Sequence, residues 1–148
     1  MSEDTFQVFI ENEADSATKR TYDETTLQLL KTEQVSRRYP YPYGFVTGTL
    51  SGDGDSVDCF VVTNEVLRSG DLVNCRAVFL LEQNEDGDVD HKVIATLAGS
   101  SDVIGERELA SIRSFIASVF SHIPDKKIEL GSLHGASEAA RFIRDCRE

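Results

Sequence analysis

Apolar residues recur along the first two thirds of the chain in short runs, alternating or briefly continuous: Phe6 to Ile10, Leu27 to Leu30, Val57 to Thr63, Leu72 to Glu82 and Lys92 to Leu97. A two-residue period over runs of this length predicts β-strands. The segments between them carry turn chemistry, as in Ser51-Gly52-Asp53-Gly54, Ser69-Gly70-Asp71 and Asp86-Gly87-Asp88, which suits antiparallel strands joined by tight loops. The period then changes. Leu109, Ile112, Ile116 and Val119 recur at three- and four-residue steps and predict a helix from about Glu106 to His122, with Pro124 beyond its end. A short strand, Lys127 to Leu130, precedes a second helix from about Ala136, on which Ala136, Ala139, Ala140 and Ile143 share a face. Strands first and helices later predict an α+β fold built around a small barrel, with two C-terminal helices packed on it.

A chain of 148 residues, 40% hydrophobic and 28% charged, suits one folded unit. Repeats, low-complexity tracts and Pro/Ser linkers are absent from the sequence. Uninterrupted apolar runs such as Ala77 to Leu81 fall far short of the roughly 20 residues a membrane helix needs. The acidic start Met1-Ser2-Glu3-Asp4 lacks the basic and apolar regions of a signal peptide, so a cytoplasmic protein is expected. Cys59, Cys75 and Cys146 have neither a disulfide nor a zinc spacing and read as reduced, mostly buried thiols. The formal net charge of -11 argues against nucleic acid as a partner. It suits either a solubilising surface or a protein that concentrates divalent cations.

The densest chemistry lies in Asp53-Gly54-Asp55-Ser56-Val57-Asp58, where a Gly-rich turn feeds an apolar strand. In extended chain positions 53 and 55 point one way and 58 the other, unless the backbone bends at Gly54. Three carboxylates brought together would repel one another without a cation. Hard oxygen ligands favour magnesium, calcium or manganese over zinc. A second acidic group, Glu85-Asp86-Gly87-Asp88-Val89-Asp90, precedes His91-Lys92 and could face the first across a barrel mouth, although a solvated hairpin tip is the blander expectation. Neither run is an EF-hand: the sixth position is His91 in one and Asp58 in the other, where Gly is needed. Arg37 and Arg38 precede Tyr39-Pro40-Tyr41-Pro42-Tyr43-Gly44 just ahead of the acids. That segment reads either as a packed aromatic turn or as phenols and guanidiniums that grip an oxyanion.

These residues resemble the soluble, barrel-type inorganic pyrophosphatases. The family's Asp-x-Asp-x-x-Asp run is matched by Asp53, Asp55 and Asp58, its Tyr-Pro-x-x-Tyr-Gly by Tyr39 to Gly44, and its Asp-x-Lys by Asp90-His91-Lys92. Gly135 to Ala140 is similar to the start of the family's last helix, so the resemblance spans roughly residues 8 to 145 of what would be one domain over 1–148. It implies a closed oligonucleotide-binding-type barrel and hydrolysis of pyrophosphate to two orthophosphates, with two or more Mg2+ ions, Mn2+ being a possible substitute. By the same resemblance Asp53, Asp58, Asp90, Glu85 and Glu11 would hold metal. Asp55 would take a proton from the attacking water, and Lys92, Tyr43, Lys31 and Lys19 would hold phosphate oxygens. It also implies a homo-oligomer, often a hexamer in bacterial members.

The sequence departs from the family in two places. The early Lys-x-Glu is Lys19-Arg20-Thr21, which lacks the acid and leaves open whether Lys19 or Arg20 enters the site, and a helix-end Tyr-Lys pair aligns with Phe120-Ser121. A charge-assisted contact to phosphate is worth about 1.5 to 3 kcal/mol, so such losses would weaken turnover unless Arg37, Arg38 or His122 compensates. The alternative expectation is therefore a divergent, weakly active or inactive member that binds metal and a phosphate compound or a protein partner. A plain oligonucleotide-binding barrel is disfavoured by the acidic balance.

Overall fold

A computed structural model describes residues 5–35, 38–52, 54–118 and 128–148. In chain order its elements are β1 (Thr5–Asn12), β2 (Thr18–Tyr22), β3 (Leu29–Gln34), β4 (Tyr43–Val46), β5 (Asp58–Val61), β6 (Leu72–Glu85), β7 (Asp88–Val89), β8 (Lys92–Leu97), α1 (Glu106–Ser118), β9 (Ile128–His134) and α2 (Ala136–Cys146). Strands β1, β4, β5, β8 and β6 pair in that order, and β6 pairs back onto β1, which closes a five-stranded barrel. Closure leaves none of these five as a free edge on that path. Strand β9 adds to β6 outside the ring, and β2 and β3 form a separate hairpin.

β5 and β8 are apolar on both faces because both faces are covered. Cys59, Val61, Val93 and Ala95 pack with Ala139 and Ile143 of α2. Phe60 and Ile94, one residue out of step, pack with Leu109, Ile112, Phe115 and Ile116 of α1. Continuous apolar strands are the mark of such double burial. The stripe expected on α1 is buried through Ile116, and Val119 to His122 lie outside the described residues. Ala136, expected on the packed face of α2, is exposed; it stands at the helix's first position, ahead of the contact made by Ala139 and Ile143.

Two strands carry no alternating apolar pattern. β2 is Thr-Lys-Arg-Thr-Tyr, and its geometry comes from a side chain: buried Asn12 accepts the Arg20 N–H (2.6 Å) and donates to the Arg20 carbonyl (3.3 Å). β4 lies inside the segment read as an aromatic turn. Gly44 permits it, since a Cβ there would run into the Phe9 carbonyl of β1. The strand expected at Leu27 starts instead at Leu29. The Asp23 carboxylate accepts the Thr25 and Thr26 amides (2.9 and 2.7 Å), and Leu27 takes a positive φ of 61° to leave that turn.

Candidate active site

The parallel register of β5 and β8 sets Asp58 directly opposite Lys92 at the same end of both strands. Tyr43 stands across from Phe60 on β4, so Tyr43, Asp58 and Lys92 share the face that α1 covers. Residues opposite one another in a ladder point to the same side. Lys92 is buried and its ammonium donates to Asp58 Oδ2 (2.6 Å), Asp90 Oδ2 (3.0 Å) and the Tyr43 hydroxyl oxygen (2.9 Å). All three of its donors are thereby used.

These groups form the floor of a cavity of about 360 Å³. Six carboxyl groups line it: Glu11, Asp23, Glu24, Asp55, Asp58 and Asp90. Lys19 and Thr21 of β2 form a polar wall, and Tyr39, Phe60, Phe115 and Ile116 an apolar one. The bend that brings two acids of one short run into a single cavity is visible. Gly54 has φ +86°, its N–H bonds the Ser51 carbonyl (3.1 Å), and the Ser51 N–H bonds the Asp55 carbonyl (2.7 Å). The next two amides are held by side chains, Ser56 by Glu24 (3.0 Å) and Val57 by Thr49 (3.0 Å).

Crowding of acids moves their proton affinities apart. Burial pushes the Glu11 carboxyl up to about 8 against the lowering effect of the Tyr22 amide it accepts, and Asp58 and Glu24 add to the rise. Burial also raises Glu24, with Asp55 and Asp58 adding to it. Asp58 and Asp90 share one ammonium. Burial drives Asp90 up to about 8 despite Lys92, helped by Asp58. Asp58 is buried too, yet Lys92 and hydrogen bonds from Asp90, Lys92 and Tyr43 hold it below the usual carboxylate range. Asp58 is the ionised member of the pair, as expected for like charges in one pocket.

The structure thus brings Glu11, Asp55, Asp58, Asp90, Lys19, Tyr43 and Lys92 to one cavity. Between the two candidates on β2 it places Lys19 there, while the Arg20 backbone is tied to Asn12. Lys31 is not in the lining. It faces Thr21 across the hairpin, on the cavity side by register, but is exposed, with its ammonium 3.6 Å from Glu33. Arg38 is not brought to the cavity either: it is exposed and donates to the Asp15 carbonyl (2.7 Å), beside the backbone bonds that tie Tyr39 to Asp15 and Ser16 of the β1–β2 connection. Asp53, Arg37, Phe120, Ser121 and His122 lie outside the described residues, as does the Glu85 side chain, though its backbone closes the β6–β7 turn opposite Asp88. The hairpin tip at Asp86 and Gly87 is exposed, while Asp90 beyond it is buried.

Three polar lining residues have no signal in the sequence. Asp23 and Glu24 stand together in a polar turn, and Gln83 sits within the long strand β6. Only the folded chain puts their oxygens beside the acids.

A model of the inorganic pyrophosphatase family matches residues 8–148. The chain belongs to that family. It is 31% identical to an inorganic pyrophosphatase of Ralstonia nicotianae, over 95% of this chain and 87% of that protein. It is 30% identical to one of Saccharolobus solfataricus, over 98% and 91%. The solved inorganic pyrophosphatase of Coxiella burnetii superposes with a TM-score of 0.86 at 26% identity, over 99% of this chain and 95% of the other. The barrel with two helices is therefore the family's fold, and the carboxylate cavity lies within the matched region.

The family implies a divalent cation, and the donor set fits one. The cavity offers carboxylate oxygens in excess of ammonium groups and no thiol, the chemistry of a hard cation. Among the described residues no three acidic, His or Cys side chains converge on a single point as they stand. Asp58 and Asp90 converge on Lys92 Nζ instead.

Proposed function

We propose that this protein hydrolyses inorganic pyrophosphate to two orthophosphates, with divalent cations, Mg2+ foremost and Mn2+ as a substitute, held by Asp58, Asp90 and Glu11 together with Asp53 and Glu85. The observation that carries this reading is one cavity lined by six carboxyl groups, two lysines and Tyr43, in a chain whose family match covers residues 8–148. Bound there, such cations would neutralise phosphate charge and make water a better nucleophile near neutral pH.

The protein's own groups have separable tasks. Lys92 donates nothing to Asp55, which lines the cavity from the loop ahead of β5. Asp55 accepts the proton of the attacking water. Lys19, from the hairpin wall, holds a phosphate oxygen, and Lys31 joins it from the rim. Tyr43 and Lys92 keep Asp58 oriented; with Asp58 and Asp90 taken up by cations, the donors they release would serve where charge grows on the leaving phosphate. The apolar wall from Phe60 and Phe115 excludes water from the back of the site. The two relatives and the solved structure matched above carry the name pyrophosphatase, and none favours an inert binder.

No helix among the described residues is long and apolar enough to cross a membrane. A cytoplasmic homo-oligomer that binds no nucleic acid completes the proposal, and light scattering checks the assembly. The deciding experiment is phosphate release from pyrophosphate, titrated with Mg2+. The wild type is expected to turn over in proportion to cation occupancy, and Asp55→Asn to lose about 10²-fold or more in kcat. A wild type that releases no phosphate at any Mg2+ concentration contradicts the reading.

A further inference from the structure

Gln83 is the one residue of the cavity whose state the reading above leaves unexplained. It is 3% exposed and lines the cavity from β6. Its backbone is clasped on both sides, the N–H by His91 Nδ1 (3.0 Å) and the carbonyl by the Asp90 N–H (2.9 Å), so the residue cannot readily turn away. Its side-chain nitrogen points to Asp90 Oδ2 at 3.5 Å, while its side-chain oxygen, Oε1, is buried without a hydrogen-bond partner. Leaving such an oxygen unmet carries a substantial desolvation cost.

The chemistry of the orphan narrows what can meet it. An amide oxygen only accepts. Phosphate oxygens are acceptors as well and would be repelled, so the substrate's anionic face is excluded. A water or a cation can meet the orphan, and the carboxyl groups that line the same cavity favour the cation. Asp58 and Asp90 converge on Lys92 in the same cavity, and the Gln83 side-chain nitrogen lies 3.5 Å from Asp90 Oδ2, so Gln83 would add an oxygen to that set without adding charge.

We propose that Gln83 Oε1 is a neutral oxygen ligand of the divalent-cation centre, and that its amide nitrogen orients Asp90 for the same ion. The inference rests on the cation reading above and adds a neutral oxygen ligand to the carboxylates already assigned to the centre.

The test is binding of Mg2+ and of Mn2+ by calorimetry, together with the thermal midpoint in chelator, for wild type, Gln83→Leu and Gln83→Glu. Gln83→Leu removes the orphan and should raise the cation-free midpoint by about 2 to 4 °C, yet weaken cation affinity at least tenfold. Gln83→Glu keeps an oxygen and adds repulsion. It should lower the cation-free midpoint and bind the ion at least as tightly as wild type. A merely structural role for Gln83 would make stability and affinity fall together in Gln83→Leu, and that result overturns the proposal. So does unchanged affinity in Gln83→Leu. If the wild type binds Mg2+ through Gln83 but never cleaves pyrophosphate, the functional reading falls and this inference stands. If it cleaves and Gln83→Leu binds the ion normally, the reverse holds. A wild type that takes up neither ion overturns both.

Discussion

Lys92 has the most consequential surroundings of any residue in the cavity. Among the described residues it is the one positive charge in hydrogen-bond contact with Asp58 and Asp90, and it is itself buried. Asp58 and Asp90 raise its own proton affinity against the lowering effect of burial, so it stays an ammonium. Removing one partner of a buried charge cluster leaves the others uncompensated. Lys92→Met is therefore expected to destabilise the cation-free protein by about 3 kcal/mol, at the low end for such a loss because only Asp58 of the pair is ionised. Urea unfolding in chelator measures this, and added Mg2+ should stabilise the variant more than the wild type. Much at this scale is legible in the sequence: Asp58, Asp90 and Lys92 stand in a recognisable spacing. Gln83 and Glu24 are not legible, because their roles depend on which strand or turn lies opposite, and no local pattern encodes that. Arg38 shows the converse. A guanidinium close in sequence to the acids is turned by its backbone toward the Asp15 carbonyl.

Among the elements, the β2–β3 hairpin sets the shape of the site. It lies outside the barrel sheet and supplies the Lys19, Thr21 and Glu24 wall. Its ties to the barrel are few and specific: Asn12 to both backbone groups of Arg20, the Glu11 carboxylate to the Tyr22 amide (3.1 Å), Glu24 to Ser56, and the Phe9–Tyr22 ring contact. Asn12→Ala takes the side-chain partner from the half-buried Arg20 amide and carbonyl. It is expected to cost about 1 to 3 kcal/mol and to speed hydrogen exchange at β2 and β3 more than in the barrel strands. Uniform exchange across both regions would show that the hairpin is not a separable unit. The barrel strands announce themselves through apolar alternation, but β2 and β4 do not. A polar strand held by one asparagine, and a short strand that a glycine allows to approach its neighbour, carry no periodicity to read.

The whole molecule couples the acids of the cavity to stability. Glu11 and Asp90 have proton affinities raised to about 8, so between their ordinary values and about 8 the folded state binds more protons than the unfolded chain. Their contribution is full below about pH 4 and is lost as pH rises through about 8. Asp58, held low, acts oppositely and only in stronger acid. In chelator, the thermal midpoint is expected to fall from about pH 5 to about pH 8; saturating Mg2+ should flatten or reverse the slope, because an ion bound only by the native state adds stability once the acids are ionised. Calorimetric melts at about pH 5, 6.5 and 8 check it. The barrel with its helices is legible in the sequence at this scale. The depth of the cavity is not, because it depends on a hairpin that folds back over the end of β5 and β8.

The central claim, that this cavity holds the ions used to cleave pyrophosphate, is tested most directly by anomalous scattering from Mn2+ in crystals of protein that is active with that ion. Peaks inside the cavity in contact with Asp58 and Asp90 are the predicted result. Active protein with Mn2+ bound only elsewhere, and both carboxylates still paired to Lys92 alone, would contradict it.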